Sequence, residues 1–170
     1  YFNAPLMAKF NHLGEAQSIR GLAQYTEEVR DRFINLAISY NINIITGSMP
    51  YVKEDGGLYN VGFLVRRDGS YEMYEKVHVT PDEIKSWGLS GGKMVQTFDT
   101  DCAKIGILIC YDVEFPELSR IMADQGMQIL FVPFLTDTQN GYSRVRVCAQ
   151  ARAIENECFV VIAGSVGNLP

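Results

Sequence analysis

Lys104-Ile105-Gly106-Ile107-Leu108-Ile109-Cys110-Tyr111-Asp112-Val113-Glu114-Phe115-Pro116-Glu117-Leu118-Ser119-Arg120 sets a cysteine between a strand and a helix. From 105 to 109 the run is apolar on both faces apart from Gly106, the pattern of a central, fully buried strand. Pro116 suits a first helical turn and Glu117 complements the positive helix end. Leu118, Ile121 and Met122 form a helical stripe that Gly126 ends. Cys110 therefore falls where a parallel strand gives out and a helix is about to begin, the place where open α/β sheets bind ligands. Partial positive charge from helix N–H groups favours a thiolate, which makes Cys110 a candidate nucleophile. A cysteine ending an apolar strand also packs well as a small hydrophobe, so this residue alone leaves both readings open.

Working outward, residues 94–98 and 102–109 read as a hairpin around Asp99-Thr100-Asp101. Beyond the helix, 128–132 reads as a strand stopped by Pro133, and 136–141 as a polar loop. Residues 142–157 read as a helix with Val145, Cys148, Ala151, Arg152 and Ile154 distributed around it, and 158–163 as a buried strand. Strand, helix, strand, helix, strand implies right-handed parallel crossovers and a layered α/β architecture. Upstream, Thr26 reads as the N-cap of a helix whose face is Val29, Phe33, Leu36, Ala37 and Tyr40, with Asn41 at its end. Residues 42–47 read as a short buried strand that Met49-Pro50 breaks. Residues 59–65 and 71–75 read as a hairpin turned by Arg66-Arg67-Asp68-Gly69. The stretch 76–93 reads as a long polar loop, and 1–24 as an irregular loop with room for a short helix.

The 170 residues are 47% hydrophobic, enough for one domain with a sizeable core. A formal net charge of −5 argues against nucleic acid as a partner, since phosphate binding needs a basic face. No run reaches the roughly 18 apolar residues of a membrane span, and the start is not a signal peptide, so the expected setting is cytoplasmic. The four cysteines show neither metal spacing nor a disulfide framework, and two histidines, His12 and His78, are too few for most zinc sites. No metal and no cofactor is expected.

Lys76 closes the strand 71–75, so its ammonium is placed to share a strand-end edge with Cys110. There it would favour the thiolate and then stabilise an oxyanion; alone, it reads equally as an exposed lysine at a strand end. Glu83, seven residues on, is within reach of orienting the lysine or the leaving group, or is simply solvated. Phe134 and Asp137 follow a strand end, as pocket-lining or ordinary loop residues. Arg152, Glu155 and Asn156 read as an ion pair and hydrogen bonds that hold their helix to its surroundings.

Tyr74-Glu75-Lys76-Val77-His78-Val79-Thr80-Pro81-Asp82-Glu83, Gly106-Ile107-Leu108-Ile109-Cys110-Tyr111-Asp112-Val113-Glu114-Phe115-Pro116-Glu117 and Ala151-Arg152-Ala153-Ile154-Glu155-Asn156 together resemble three motifs of the nitrilase, or carbon-nitrogen hydrolase, superfamily. Three motifs in the right order are far more specific than any one of them. The resemblance implies an α/β fold, an incomplete αββα sandwich of the nitrilase type. It also implies one carbon-nitrogen hydrolase domain over residues 1–170, of which the chain holds the central portion. Carried over residue by residue, it implies Cys110 as nucleophile, Lys76 as catalytic lysine and Glu83 as assisting glutamate. The general-base glutamate is expected just before Tyr1, and the family continues past a segment like 164–170, so these residues alone are expected to be inactive or nearly so. The implied reaction is hydrolysis of a non-peptide carbon-nitrogen bond, amidase-like, through a thioester, with the backbone N–H of Tyr111 helping to hold the oxyanion. The alternative is a catalytically silent binding module of the same fold.

Many family members resemble Cys-Tyr-Asp-x-Arg-Phe-Pro-Glu, with an arginine able to bind a substrate carboxylate where this chain has Glu114. The expected substrate is therefore a small amide, cationic rather than anionic, unless Glu114 makes an internal salt bridge or caps the helix. A homodimer or larger assembly is expected through the helices after Cys110 and around 151–156. Neither nucleic acid nor membrane is an expected partner.

Overall fold

A computed structural model describes residues 2–165; 166–170, part of the segment read as leading past the last strand, lie outside the described residues. The chain forms two compact units, residues 2–92 and 93–165.

In the first unit a 3-10 helix (Ala4–Phe10) and helices α1 (Glu15–Ala23) and α2 (Thr26–Tyr40) lead into β1 (Ile44–Ile45), β2 (Met49–Val52), β3 (Leu58–Val65) and β4 (Tyr71–Glu75). Helix α3 (Pro81–Trp87) and β5 (Leu89–Ser90) close it. Strand β3 is the spine. β1 and β2 run antiparallel along one edge of it, while β4, antiparallel, and β5, parallel, pair with it as well. Ile45 faces Leu64 and Met49 faces Val61, so three residues oppose two and the edge carries a bulge. Gly47 supplies the positive φ of 75° there. Its carbonyl and the Tyr74 ring lie where a Cβ on Gly62 would stand, at 2.1 and 2.4 Å, so only glycine fits at Gly62. One face of the sheet buries Met49, Val61, Phe63 and Val65 against Ala37, with Val29, Phe33 and Ile34 packed alongside. Leu58 and Leu89 join Ile19, Leu22 and Ala23 of α1 in a second cluster.

Residues 15–23 form the short helix for which the loop reading left room, with Ser18, Ile19, Leu22 and Ala23 burying one face despite Gly21. Three sequence expectations are corrected here. Thr26 is the first residue of α2 rather than its cap, with a buried hydroxyl that donates to the Pro50 carbonyl at 2.6 Å. Leu36 and Tyr40 are exposed, so Ile34 rather than either completes the stripe. Met49-Pro50 lies within a strand instead of breaking one, and Pro50 is tolerated because β2 pairs only with β3 among the described strands. The hairpin of β3 and β4 is as read, with Val65 opposite Tyr71, Gly69 at φ 88° and Asp68 accepting from the Ser70 N–H at 2.8 Å.

The second unit runs β6 (Thr97–Asp99), β7 (Lys104–Ile107), a 3-10 turn (Cys110–Glu114), α4 (Pro116–Asp124), β8 (Ile129–Phe134), α5 (Gln139–Asn156) and β9 (Phe159–Gly164). The order is β6-β7-β8-β9, with β6 antiparallel to β7 and the two crossovers through α4 and α5 parallel, as the alternation implied. Pro133 does not end β8. Gln128 and Phe134 accept from the β9 side and Phe131 accepts from Leu108 at 3.0 Å, so by alternation the Pro133 nitrogen faces the side where β7 has already finished. β9 is not fully buried: it is the last strand of the sheet among the described residues, and Phe159 stays 77% exposed. The stripe on α4 is narrower than read, with Ile121 exposed, and Ile154 on α5 is exposed as well.

Candidate active site

Cys110 opens the turn that follows β7, with φ at +50°. A non-glycine residue held left-handed costs about 1–3 kcal/mol and persists only where its surroundings over-determine it, an arrangement concentrated at functional sites. The surroundings do so here. Leu108 donates to Phe131, the buried Asp112 carboxylate accepts the Ile109 N–H at 3.2 Å, and the Phe115 N–H reaches the Asp112 carbonyl at 3.1 Å. The half-buried thiol lies 3.7 Å from the Leu135 carbonyl, which accepts from it. A strand-to-helix turn with a strained nucleophile at its head is how α/β enzymes raise a side chain above the end of a sheet.

Arg152 fastens this turn from α5. Its Nε donates to the Val113 carbonyl at 3.0 Å, Nη2 to the Glu114 carbonyl at 3.3 Å and Nη1 to Glu155 at 2.6 Å. Asn156 donates to Ser119 of α4 and Arg120 donates to the Glu155 carbonyl. The three polar residues read as holding their helix in place therefore do so, and the segment that Arg152 grips begins at the cysteine. The Glu114 carboxylate meets Arg144 at 3.3 Å, the internal salt bridge held open in the sequence reading. The Tyr111 ring packs edge-on against Phe115 with centroids 5.0 Å apart, Phe134 at the end of β8 lies near Tyr142, and Asp137 is exposed in the loop before α5. Burial pushes the thiols of Cys148 and Cys158 above their ordinary range.

In the first unit Lys76 is 3% exposed, and its ammonium donates to Glu83 Oε2 at 2.5 Å. The same oxygen accepts the Thr80 N–H at 2.7 Å, while the Thr80 hydroxyl accepts from the Glu83 N–H, a capping box that starts α3. The stretch read as a polar loop thus contains a helix, announced by Thr80-Pro81-Asp82-Glu83 but obscured by its polarity and glycines. The Lys76 backbone is pinned at both ends, its N–H to Asn60 at 2.9 Å and its carbonyl by Gly92 at 2.7 Å. Gly91 lets the chain pass, since a Cβ there would stand 2.4 Å from the Val77 carbonyl. A buried ion pair contributes little net stability, because desolvating two charges offsets their attraction.

Among the described residues no group of three His, Cys, Asp or Glu could hold a metal ion, and no helix is long and apolar enough to cross a membrane.

The family model described as Carbon-nitrogen hydrolase matches residues 4–169. The probable hydrolase YhcX of Bacillus subtilis is 50% identical over 169 residues, 99% of this chain and 33% of that protein. A deaminated glutathione amidase of Synechocystis is 34% identical over 144 residues, 78% of this chain and 53% of that protein. The chain thus spans a third to about half the length of these relatives. The crystal structure of a carbon-nitrogen hydrolase from Helicobacter pylori matches with a TM-score of 0.80 at 25% identity, over 90% of this chain and 56% of that one. An amidase from Nesterenkonia sp., a mutant showing Michael addition of acrylamide at the active site cysteine, matches with a TM-score of 0.73 at 26% identity, over 84% and 56%.

Proposed function

The chain belongs to the carbon-nitrogen hydrolase family, and we propose that the protein carrying it is an amidase that works through a thioester on Cys110. The observation that carries this reading is the left-handed backbone of Cys110 at the head of a braced strand-to-helix turn. The sulfur attacks the amide carbon, forming a C–S bond while the carbonyl oxygen takes the electron pair. By the family resemblance, the Tyr111 N–H and the Lys76 ammonium are the groups assigned to receive that charge. One acid/base group takes the thiol proton and returns it to nitrogen as the C–N bond breaks, and water then cleaves the thioester to acid and free thiol. Glu83 holds the ammonium in place through its 2.5 Å bond. The amidase relative and the amidase with its acrylamide-modified cysteine support an amide as substrate and a cysteine as nucleophile.

Because Arg144 offsets the charge of Glu114, short uncharged amides are the first substrates in this reading, with cationic ones as the comparison. Phe134 and Asp137 are assigned to the substrate side. A reducing, cytoplasmic setting suits a thiolate nucleophile. Self-association is assigned to α4 and α5, where Ile121, Val147 and Ile154 stay exposed; light scattering on Ile154→Glu should show a smaller particle.

The test is ammonia release from butyramide and related amides by the full-length protein, Cys110→Ala and Lys76→Met, with hydroxylamine to trap the acyl-enzyme as a hydroxamate. Both variants should lose at least about a thousandfold in kcat/KM, the scale of losing a nucleophile or an oxyanion donor. A Cys110→Ala variant that released ammonia at the parent rate would overturn the assignment.

A further inference from the structure

Resting on the amidase reading, the structure assigns to Asn60 the recognition of the substrate's own amide nitrogen beside Lys76. Val61 faces Glu75 across the β3–β4 ladder, so the next step of the register sets Asn60 opposite Lys76, and the Lys76 N–H donates to the Asn60 carbonyl. Residues directly opposite in an antiparallel pair project from the same face of the sheet with Cβ atoms roughly 5 Å apart. The Asn60 and Lys76 side chains therefore leave the sheet from the same face as cross-strand neighbours.

Asn60 is 3% exposed, yet its Oδ1 is buried without any hydrogen-bond partner. A buried amide oxygen left unpaired costs about 1–3 kcal/mol, so a residue that only served stability would be better replaced by an apolar one of similar shape. Among the described residues of this unit Asn3 is another buried amide with unpartnered atoms, but no register ties it to the lysine. Lys76 donates and would take the carbonyl oxygen of an incoming amide. An acceptor on the same face is what the other half of that amide, its N–H, requires. No electrons or protons move through Asn60: its oxygen accepts one hydrogen bond from the nitrogen that will leave.

An ester has the same carbonyl and no N–H, and this separates recognition from scaffolding. In the full-length protein Asn60→Ala should lower kcat/KM for butyramide about tenfold, the worth of one ordinary hydrogen bond. It should leave kcat/KM for methyl butyrate within about twofold and leave the melting temperature no lower than that of the parent. Asn60→Leu, which keeps the volume, carries the same comparison should the alanine variant fold poorly. Equal losses on amide and ester, or no loss on either, would overturn the inference. Cys110→Ala and Lys76→Met run alongside. If they stay active the amidase reading fails, whereas if they are dead and the amide-to-ester ratio of Asn60→Ala equals that of the parent, this inference alone fails.

Discussion

Replacing Arg152 with methionine keeps most of the stem's volume and removes the guanidinium that grips the turn after Cys110. Three bonds go. The Val113 residue is wholly buried, so its carbonyl, accepting from Nε at 3.0 Å, is left without water or partner, at about 1–3 kcal/mol. The longer bond to the Glu114 carbonyl, 3.3 Å, is worth about 1 kcal/mol. The pair with Glu155, whose side chain is 43% exposed, adds at most about 1 kcal/mol after screening. We expect a loss of about 2–5 kcal/mol in urea unfolding, overlapping the range seen when one side of a buried charged network is removed. Relaxing the turn should also let Cys110 leave its left-handed backbone. The rate of acrylamide addition to Cys110, followed by mass spectrometry under native conditions, should fall several-fold, and ammonia release should fall with it. Arg152→Lys should recover little of either, because an ammonium cannot serve two carbonyls and a carboxylate in one plane. A methionine variant within about 1 kcal/mol of the parent, with unchanged Cys110 alkylation, would refute the bracing role.

Removing the Glu83 carboxylate with Glu83→Ala strands a buried ammonium and should cost about 3–5 kcal/mol, whereas the double variant Lys76→Met with Glu83→Leu should cost much less than the two single changes added; additive costs in urea unfolding would show that the pair is not coupled. Gly62→Ala should cost roughly 3 kcal/mol or prevent folding, since its Cβ would stand 2.1 Å from the Gly47 carbonyl; a normal melting temperature would contradict the packing. Burial raises the Tyr74 phenol far above its ordinary value. Above about pH 10 the unfolded chain releases that proton while the folded one keeps it, so stability should fall with rising pH by up to about 1.4 kcal/mol per unit, and Tyr74→Phe should make that slope shallower; an equal slope would dismiss the burial argument. With thiols of Cys148 and Cys158 held high by burial, limiting iodoacetamide at neutral pH should label Cys110 and exposed Cys102 first, which peptide mapping would check.

Much of this protein is legible in its local pattern. The apolar run before Cys110, Pro116 just inside the next helix and Asp68-Gly69 between two alternating runs each act within a few residues, so the strand, the helix and the hairpin turn follow from short-range sterics and burial. The three motifs place Cys110, Lys76 and Glu83 in matching contexts and identify the family. The capping box of α3 is equally local but is masked by the glycine and charge around it, which read as loop.

Pro133 shows where local pattern stops being sufficient. The same residue ends a strand or sits within one depending on whether a neighbour still needs its N–H, and that is known only once β8 lies between a finished β7 and a continuing β9. Phe159 is apolar and exposed for a related reason: whether a face of β9 is covered depends on what packs against the sheet, which the strand's own pattern does not carry. Residue type and spacing by themselves determined the order of the elements in the second unit and the chemical groups on offer, and the resemblance of three motifs pointed to the family. Only the tertiary structure decided that Arg152 closes on the Cys110 turn from some forty residues away, that Glu114 pairs with Arg144 and that Asn60 lies opposite Lys76. Those are contacts between distant segments, and their energies depend on burial and direction, which exist only after the chain has closed.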